Sequence, residues 1–288
     1  MSKFVFVLAP PYSGSTVLFR LLETSVHVSA LPGEGQFLPE VKDIMRAAPW
    51  DKSDAFPWDE IRSAWEGYWD LSKPLLLEKS PPNMIRAAEI ESAFDPAYLI
   101  VMVRSLYAHI EGLARRSNVP PMDLPKGAGR AQAIARAAEL WLEFARTQRR
   151  IITEREHVTW FTYEALTAEP DRIADQLREF LPELGELNTA AQFGVHSAEG
   201  TMARPLKDMN ATKESLLTRS DFEIINDVIG GHADLLAFFG YGILLPRKDQ
   251  DWVAIKARAS NRLKRSWANI VKNLPGKGKT KGSRAAYE

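Results

Sequence analysis

Unbroken apolar runs and helical apolar stripes take turns along this chain. Residues 4–9 (Phe4-Val5-Phe6-Val7-Leu8-Ala9), 75–77 (Leu75-Leu76-Leu77) and 98–103 (Tyr98-Leu99-Ile100-Val101-Met102-Val103) have no polar interruption, which predicts strands buried on both faces. Residues 158–163, β-branched and aromatic, predict a fourth. Between the strands, apolar positions recur three and four apart. Val17, Leu18, Leu21 and Leu22 predict a helix after the first strand, and Ile61, Ala64, Trp65, Tyr68 and Trp69 predict another. Those two Trp fit either a core face or the wall of an acceptor pocket. Further helices are predicted from about Met84, over 106–116, over about 130–150, one introduced by Glu164-Ala165-Leu166 and Pro170 and running to about 181, and over 222–231 and 232–239, with Gly240 as a stop signal. Residues 26–58 read as irregular, 117–129 as a Pro/Gly loop and 194–213 as a polar loop. Strands alternating with helices predict an α/β fold of P-loop type, three layers with a central parallel sheet flanked by helices, plus a C-terminal basic helix. In such sheets ligands bind beyond the carboxyl ends of the strands.

The 288 residues carry 37 Lys and Arg against 37 Asp and Glu, and the neutral total hides an uneven spread. Residues 247–288 hold twelve Lys and Arg against three Asp and Glu, so the body over 1–246 is acidic. We therefore divide the chain into a body, 1–246, and a basic amphipathic helix with its tail, 247–288. Cysteine is absent, which excludes disulfides, thiol chemistry and Cys-based metal sites. The five His show no metal-ligand spacing, and His109 reads as structural. No apolar run reaches the length of a membrane span. Lys3 with residues 4–9 mimics a signal peptide, but the run is short and leads directly into the candidate site, so the expectation is a bacterial, cytoplasmic protein.

That candidate site is the loop after the first strand: Pro10-Pro11-Tyr12-Ser13-Gly14-Ser15-Thr16. Strand, small-residue loop and helix in that order make an anion cradle, because a helix start offers unpaired N–H groups and a partial positive charge. A triphosphate-binding loop reads G-x-x-x-x-G-K-[ST]. Here Ala9 stands at the first Gly, Gly14 at the second, Ser15 at the Lys and Thr16 at the Ser/Thr. Without the Lys, a single phosphate is expected and no magnesium is demanded. An ordinary strand–helix turn is the plainer alternative.

Four sites then match a known family in order. The first is the P-x-S-G-[ST]-[ST] loop at Pro11 to Thr16. The second is Glu78-Lys79-Ser80-Pro81 after the second strand, the third Val103-Arg104 closing the third, and the fourth Thr162-Tyr163-Glu164-Ala165-Leu166. Together, over roughly residues 4–240, they resemble the sulfotransferases that use 3′-phosphoadenosine 5′-phosphosulfate (PAPS), closer to the Golgi, heparan-type motifs than to the cytosolic ones. The resemblance implies a sulfuryl transfer from PAPS to a hydroxyl or amine, with no metal. It implies that Ser13, Gly14, Ser15 and Thr16 hold the 5′-phosphate, that Arg104 holds the 3′-phosphate, and that Tyr163 packs near the adenine. It places Lys79 beside the transferred group and Glu34, in Pro32-Gly33-Glu34-Gly35, as the base. The His used by cytosolic relatives falls at Pro81 here. Arg204 and Lys207 would close over the 3′-phosphate.

Two positions depart from the family. Tyr12 stands where a Lys or Arg precedes the Ser-Gly pair, and Gly112 stands where a Ser follows the strand-end Arg by eight residues. Lys79 or Arg20 could replace the missing cation, and a backbone N–H at Gly112, or Ser117, the missing hydroxyl. Two other readings stand beside an active enzyme: a sulfotransferase-like protein that binds nucleotide without turnover, and a P-loop kinase for a small molecule. The expected acceptor is a small molecule, glycan or lipid, and no nucleic acid is expected. In the tail, Trp252, Ile255, Ala259, Leu263, Trp267, Ile270, Val271 and Leu274 fall on one helical face among basic residues. Over 252–284 this predicts either packing on the acidic body or peripheral contact with an anionic membrane at the inner face.

Overall fold

The computed structural model describes residues 2–116, 120–197 and 200–273, with only the backbone course described for 194–204 and 262–273. In chain order it forms β1 (Lys3–Leu8), α1 (Ser15–Leu22), β2 (Val28–Ala30), α2 (Lys42–Ala47), α3 (Trp58–Glu66), β3 (Leu75–Glu78), α4 (Ala87–Ala93), β4 (Ala97–Val103), α5 (Leu106–Ala114) and α6 (Arg130–Glu154). Then come β5 (Val158–Thr162), α7 (Tyr163–Ala168), α8 (Pro170–Phe180), β6 (Phe193–Ser197), β7 (Gly200–Arg204), α9 (Asn210–Glu214), α10 (Arg219–Ile229), α11 (Ala233–Phe238) and α12 (Gln250–Asn273). The apolar runs pair into one five-stranded sheet, all parallel, in the order β2-β3-β1-β4-β5.

Alternate residues of each strand serve opposite faces, as the pleat requires. Phe4, Phe6, Leu8, Leu76, Leu99, Val101 and Val103 join one buried cluster with residues of α3, α5, α6 and α10. Val5, Val7, Leu75, Leu77, Ile100 and Met102 join the other with α1, α7 and α8. This is the expected α/β architecture, helices on both faces of a parallel sheet. Trp65 and Trp69 lie in the first cluster, where Trp65 stacks on Phe94 with ring centroids 5.6 Å apart. They are core, not a pocket wall.

Three stretches differ from the sequence expectation. The region 26–58 contains the edge strand β2, whose Val28-Ser29-Ala30 has no apolar run. It is held by its ladder to β3 and by Ser29 Oγ, which accepts from the Asp70 N–H at 2.8 Å. The region 194–213 contains the β6–β7 hairpin and α9. Residues 163–181 form two helices, because Pro170 sits in the first turn of α8 and is tolerated only there.

The register puts the functional ends together. Phe6 pairs with Glu78, and Leu8 pairs with Val101. The carboxyl ends of β3, β1 and β4 therefore lie side by side. They deliver Lys79, the loop after β1, and Arg104 to one edge of the sheet.

Candidate functional site

The loop between β1 and α1 is pinned from behind, one carbonyl after another. Ser13 Oγ donates to the Pro10 carbonyl at 2.6 Å. His109 Nε2 lies 2.7 Å from the Pro11 carbonyl. Arg104 Nη1 donates to the Tyr12 carbonyl at 3.0 Å. Tyr12 adopts φ 66° and Gly14 φ 95°, the left-handed turn that makes a concave row of N–H groups. Gly14 has no alternative: a Cβ there would stand 2.6 Å from Tyr163 Cδ2. Among the described residues, the N–H groups of Tyr12, Gly14, Ser15 and Thr16 have no protein partner. Carbonyls held inward and amides left open are the two halves of an anion cradle.

His109 is buried, and that burial pushes its pKa down to about 3. The ring is therefore neutral, and it donates Nε2–H to Pro11. The unfolded chain takes up a proton near the ordinary value of 6.5 while the folded one refuses it until about 3. The stability that His109 contributes is thus full above 6.5 and falls as the pH drops toward 3, by up to about 1.4 kcal/mol per pH unit. Glu78 works in the opposite sense. Its raised pKa gives stability that is full below the ordinary 4.5 and lost as the pH rises through about 7. His109→Gln keeps a donor for Pro11 but no titration. It is expected to flatten the loss of stability on acidification, read as the difference in urea midpoint between about pH 5 and about pH 7. An unchanged difference would show that His109 does not stay neutral.

Arg104 is 6 % exposed and knits the site together. Its Nε donates to Asn210 Oδ1 at 2.9 Å, and its guanidinium lies 4.1 Å from the Tyr163 ring centroid. Its Nη2 is buried without a partner. Asn210 Nδ2 donates to Glu164, whose carboxylate also accepts from the Ser105 N–H at 3.0 Å and from the Tyr241 hydroxyl at 2.8 Å. Burial raises the Tyr241 pKa, so its hydroxyl stays a donor. Tyr163 is buried beneath the loop, between Gly14 and Arg104. Its hydroxyl donates to the Lys207 carbonyl at 2.9 Å and accepts from the Met209 N–H at 3.3 Å. The resemblance places Tyr163 near the adenine; in the structure its ring lies against Gly14 and the Arg104 guanidinium, and its hydroxyl holds the 207–209 segment beside the loop. Lys207 reaches the site through its main chain. The Arg204 side chain lies outside the described residues.

The third part grows from the end of β3. Glu78 is wholly buried. Its Oε1 accepts from the Gly35 N–H at 3.1 Å and Ser80 Oγ at 2.5 Å, and its Oε2 from the Ser80 N–H at 3.1 Å and Asn83 Nδ2 at 2.7 Å. Burial pushes its pKa up to about 7 against these four donors. Ser80 Oγ in turn accepts from the Gln36 N–H at 3.1 Å. Glu78 thereby fastens the Gly35-Gln36 turn to the segment after β3, and this fastening sets two flanking side chains face to face. Lys79 Nζ lies 2.5 Å from Glu34 Oε1, and Gln36 Nε2 donates to Glu34 Oε2 at 2.5 Å. Lys79 is buried and Glu34 partly open. The structure brings Glu34 and Lys79 together as an ion pair.

The two departures from the family meet. Tyr12 Cβ would stand 2.9 Å from a Cβ on Gly112. Tyr12 is 39 % exposed, and the bare backbone of α5 accommodates its turn. Sequence reasoning missed Gln36, Asn83, Asn210 and the organising role of Glu78. Only Glu78 left a trace, a carboxylate at the end of an apolar strand. Among the described residues no group of three His, Cys, Asp or Glu could hold a metal ion, and no helix is long and apolar enough to cross a membrane.

No protein-family model matches this chain, and no curated protein matches it. Solved structures do. The sulfotransferase domain from the curacin biosynthetic pathway is 18% identical over 90% of this chain and 98% of its own, with a TM-score of 0.46. Sulfotransferase STF1 from Mycobacterium tuberculosis H37Rv is 13% identical over 63% of this chain and 68% of its own, with a TM-score of 0.48. Mouse sulfotransferase SULT7A1 complexed with PAP is 11% identical over 83% of this chain and 85% of its own, with a TM-score of 0.45. Each of these three similar structures is a sulfotransferase. At such identities a likeness concerns fold, and at these TM-scores it carries no argument about substrate or activity.

Proposed function

We propose that this protein transfers a sulfuryl group from PAPS to a hydroxyl or amine of an acceptor, without a divalent ion. One observation carries the reading: a loop with its carbonyls pinned inward and four amides open lies beside a buried arginine with an unpartnered Nη2. The residues present fit the group. Tyr12, Gly14, Ser15 and Thr16 would hold the 5′-phosphate through N–H groups, and Ser15 and Thr16 add hydroxyls. Arg104, planar and permanently charged, would offer Nη2 to a phosphate oxygen. PAPS supplies a sulfuryl group that passes in line from its 5′-phosphate oxygen to the acceptor atom.

The chain's work is positioning and charge neutralisation, as in phosphoryl transfer. Lys79, buried and one strand away from the loop, donates to the oxygen that gains charge as the bond to it breaks. The loop amides share that charge from the helix side. Glu34 takes the acceptor proton as general base, and Gln36 keeps the carboxylate aimed. Lys79 pairs with Glu34 in this structure. Turning Lys79 toward a bound sulfuryl group would free one oxygen of Glu34 for the acceptor.

The test is calorimetry with 3′,5′-adenosine bisphosphate in the presence of a chelator, with ATP and magnesium as the comparison. Binding of the bisphosphate without metal is the expected result. No binding, or binding of ATP only with magnesium, would overturn the reading in favour of a kinase-like site. A second reading, nucleotide binding without turnover, draws on Tyr12, which brings no positive charge to the leaving phosphate. A PAPS turnover assay over small-molecule, glycan and lipid acceptors separates the two.

A further inference from the structure

We propose that the outward face of α12 is a docking surface for an anionic lipid bilayer. The helix meets the body through one side only. Gln250 Nε2 donates to the Leu217 carbonyl at 2.7 Å, Ala254 is fully buried, and Arg258 Nη2 donates to the Leu216 carbonyl at 2.8 Å and lies 3.2 Å from Asp221 Oδ2. Asp251 Oδ1 adds a contact by accepting from the Arg219 N–H at 2.8 Å. At about 100° per residue, positions 252, 255 and 259 point on average roughly 130° around the helix from 250, 254 and 258. Trp252 is accordingly 54 % exposed and Ile255 65 % exposed.

Packing on the acidic body was the alternative for this helix, and the structure shows what that packing uses. It uses a polar side with a single buried Ala, and it leaves the Trp-bearing face unpartnered. The sequence extends that face: Leu263, Trp267 and Ile270 continue at spacings of four and three. Lys256 flanks it, with its ammonium 3.6 Å from the Trp252 ring centroid. Arg262 flanks the other edge by position. Just before the helix, Leu245 is 82 % exposed.

Charge selects the occupant. Residues 247–288 carry twelve Lys and Arg against three Asp and Glu, and in the described part only Arg258 is paired to the body. A helix with Trp and aliphatic side chains on one face and cations around it lies in the plane of an anionic bilayer, with its apolar face at the headgroup boundary. The inference concerns binding alone and stands apart from the proposed sulfuryl transfer.

The experiment is co-sedimentation of the full chain with vesicles of equal parts phosphatidylglycerol and phosphatidylcholine, and with vesicles of phosphatidylcholine alone, at low and high salt. Strong pelleting only with the anionic vesicles, weakened by salt, is expected. The double variant Trp252→Ser, Ile255→Ser is expected to cut the bound fraction at least about tenfold at unchanged thermal midpoint, because both residues are exposed in the folded protein. Brominated lipid should quench the fluorescence of the wild-type chain more than that of Trp252→Phe. Equal binding to both vesicle types, unchanged binding by the double variant, or a stable self-associated form that the variant dissociates in the absence of lipid would each overturn the proposal.

Discussion

Glu34→Gln is expected to bind 3′,5′-adenosine bisphosphate within about twofold of the wild type and to turn over at least about a hundredfold more slowly, the range of a lost general base. The substitution is nearly isosteric, so its effect is chemical. Glu34 sits on a turn whose next two amides are held by Glu78 and Ser80, and the backbone should therefore not move. The new amide cannot take the acceptor proton, and its nitrogen cannot accept from Lys79. Nucleotide affinity is spared because the cradle belongs to the β1–α1 loop, on the neighbouring strand. Single-turnover rates at saturating PAPS together with calorimetry provide the check. A variant with near-normal turnover would move the base to another residue.

Arg104→Ala is expected to weaken the same nucleotide by about 1.5–3 kcal/mol, roughly ten- to 150-fold in Kd. Three contacts go at once. The Tyr12 carbonyl loses its donor, Asn210 loses its partner, and Tyr163 loses the cation over its ring. The loop then keeps only Ser13 and His109 behind its carbonyls. Arg104→Lys should recover part of the loss, because one ammonium cannot reach Tyr12, Asn210 and a phosphate together. Isothermal titration of the three proteins decides the matter. Equal affinities for wild type and Arg104→Ala would remove Arg104 from the site.

The sheet was legible in the sequence because a strand buried on both faces has to be apolar throughout, and β1, β3 and β4 announce themselves in this way. β2 did not. Three residues held by a backbone ladder and one Ser hydroxyl leave no side-chain pattern, and the β6–β7 hairpin is equally silent. In the site, residues whose chemistry follows from type and position at a strand end could be named: Ser13, Gly14, Lys79 and Arg104. Gln36, Asn83 and Asn210 could not: the Gln36 and Asn83 side chains hold nearby carboxylates whose roles only the fold reveals, and Asn210 meets Arg104 across 106 residues of sequence. For Tyr163 the motif suggested a place near the adenine, and only the left-handed turn at Gly14 reveals that the ring also packs behind the loop.

The contact between Tyr12 and Gly112 couples two positions. The resemblance would put a cation and a hydroxyl there, and Tyr12 and Gly112 stand in their place. With Tyr12 in its left-handed turn, any side chain at 112 would begin 2.9 Å from Tyr12 Cβ, a distance real Cβ atoms do not tolerate. A serine therefore cannot stand at 112 while residue 12 keeps this backbone course. The limiting atom is a Cβ, which every residue but glycine carries, so the left-handed backbone at 12, not the tyrosine ring, demands the glycine at 112. The two positions are coupled through backbone geometry, and substitutions at them should not be additive in stability.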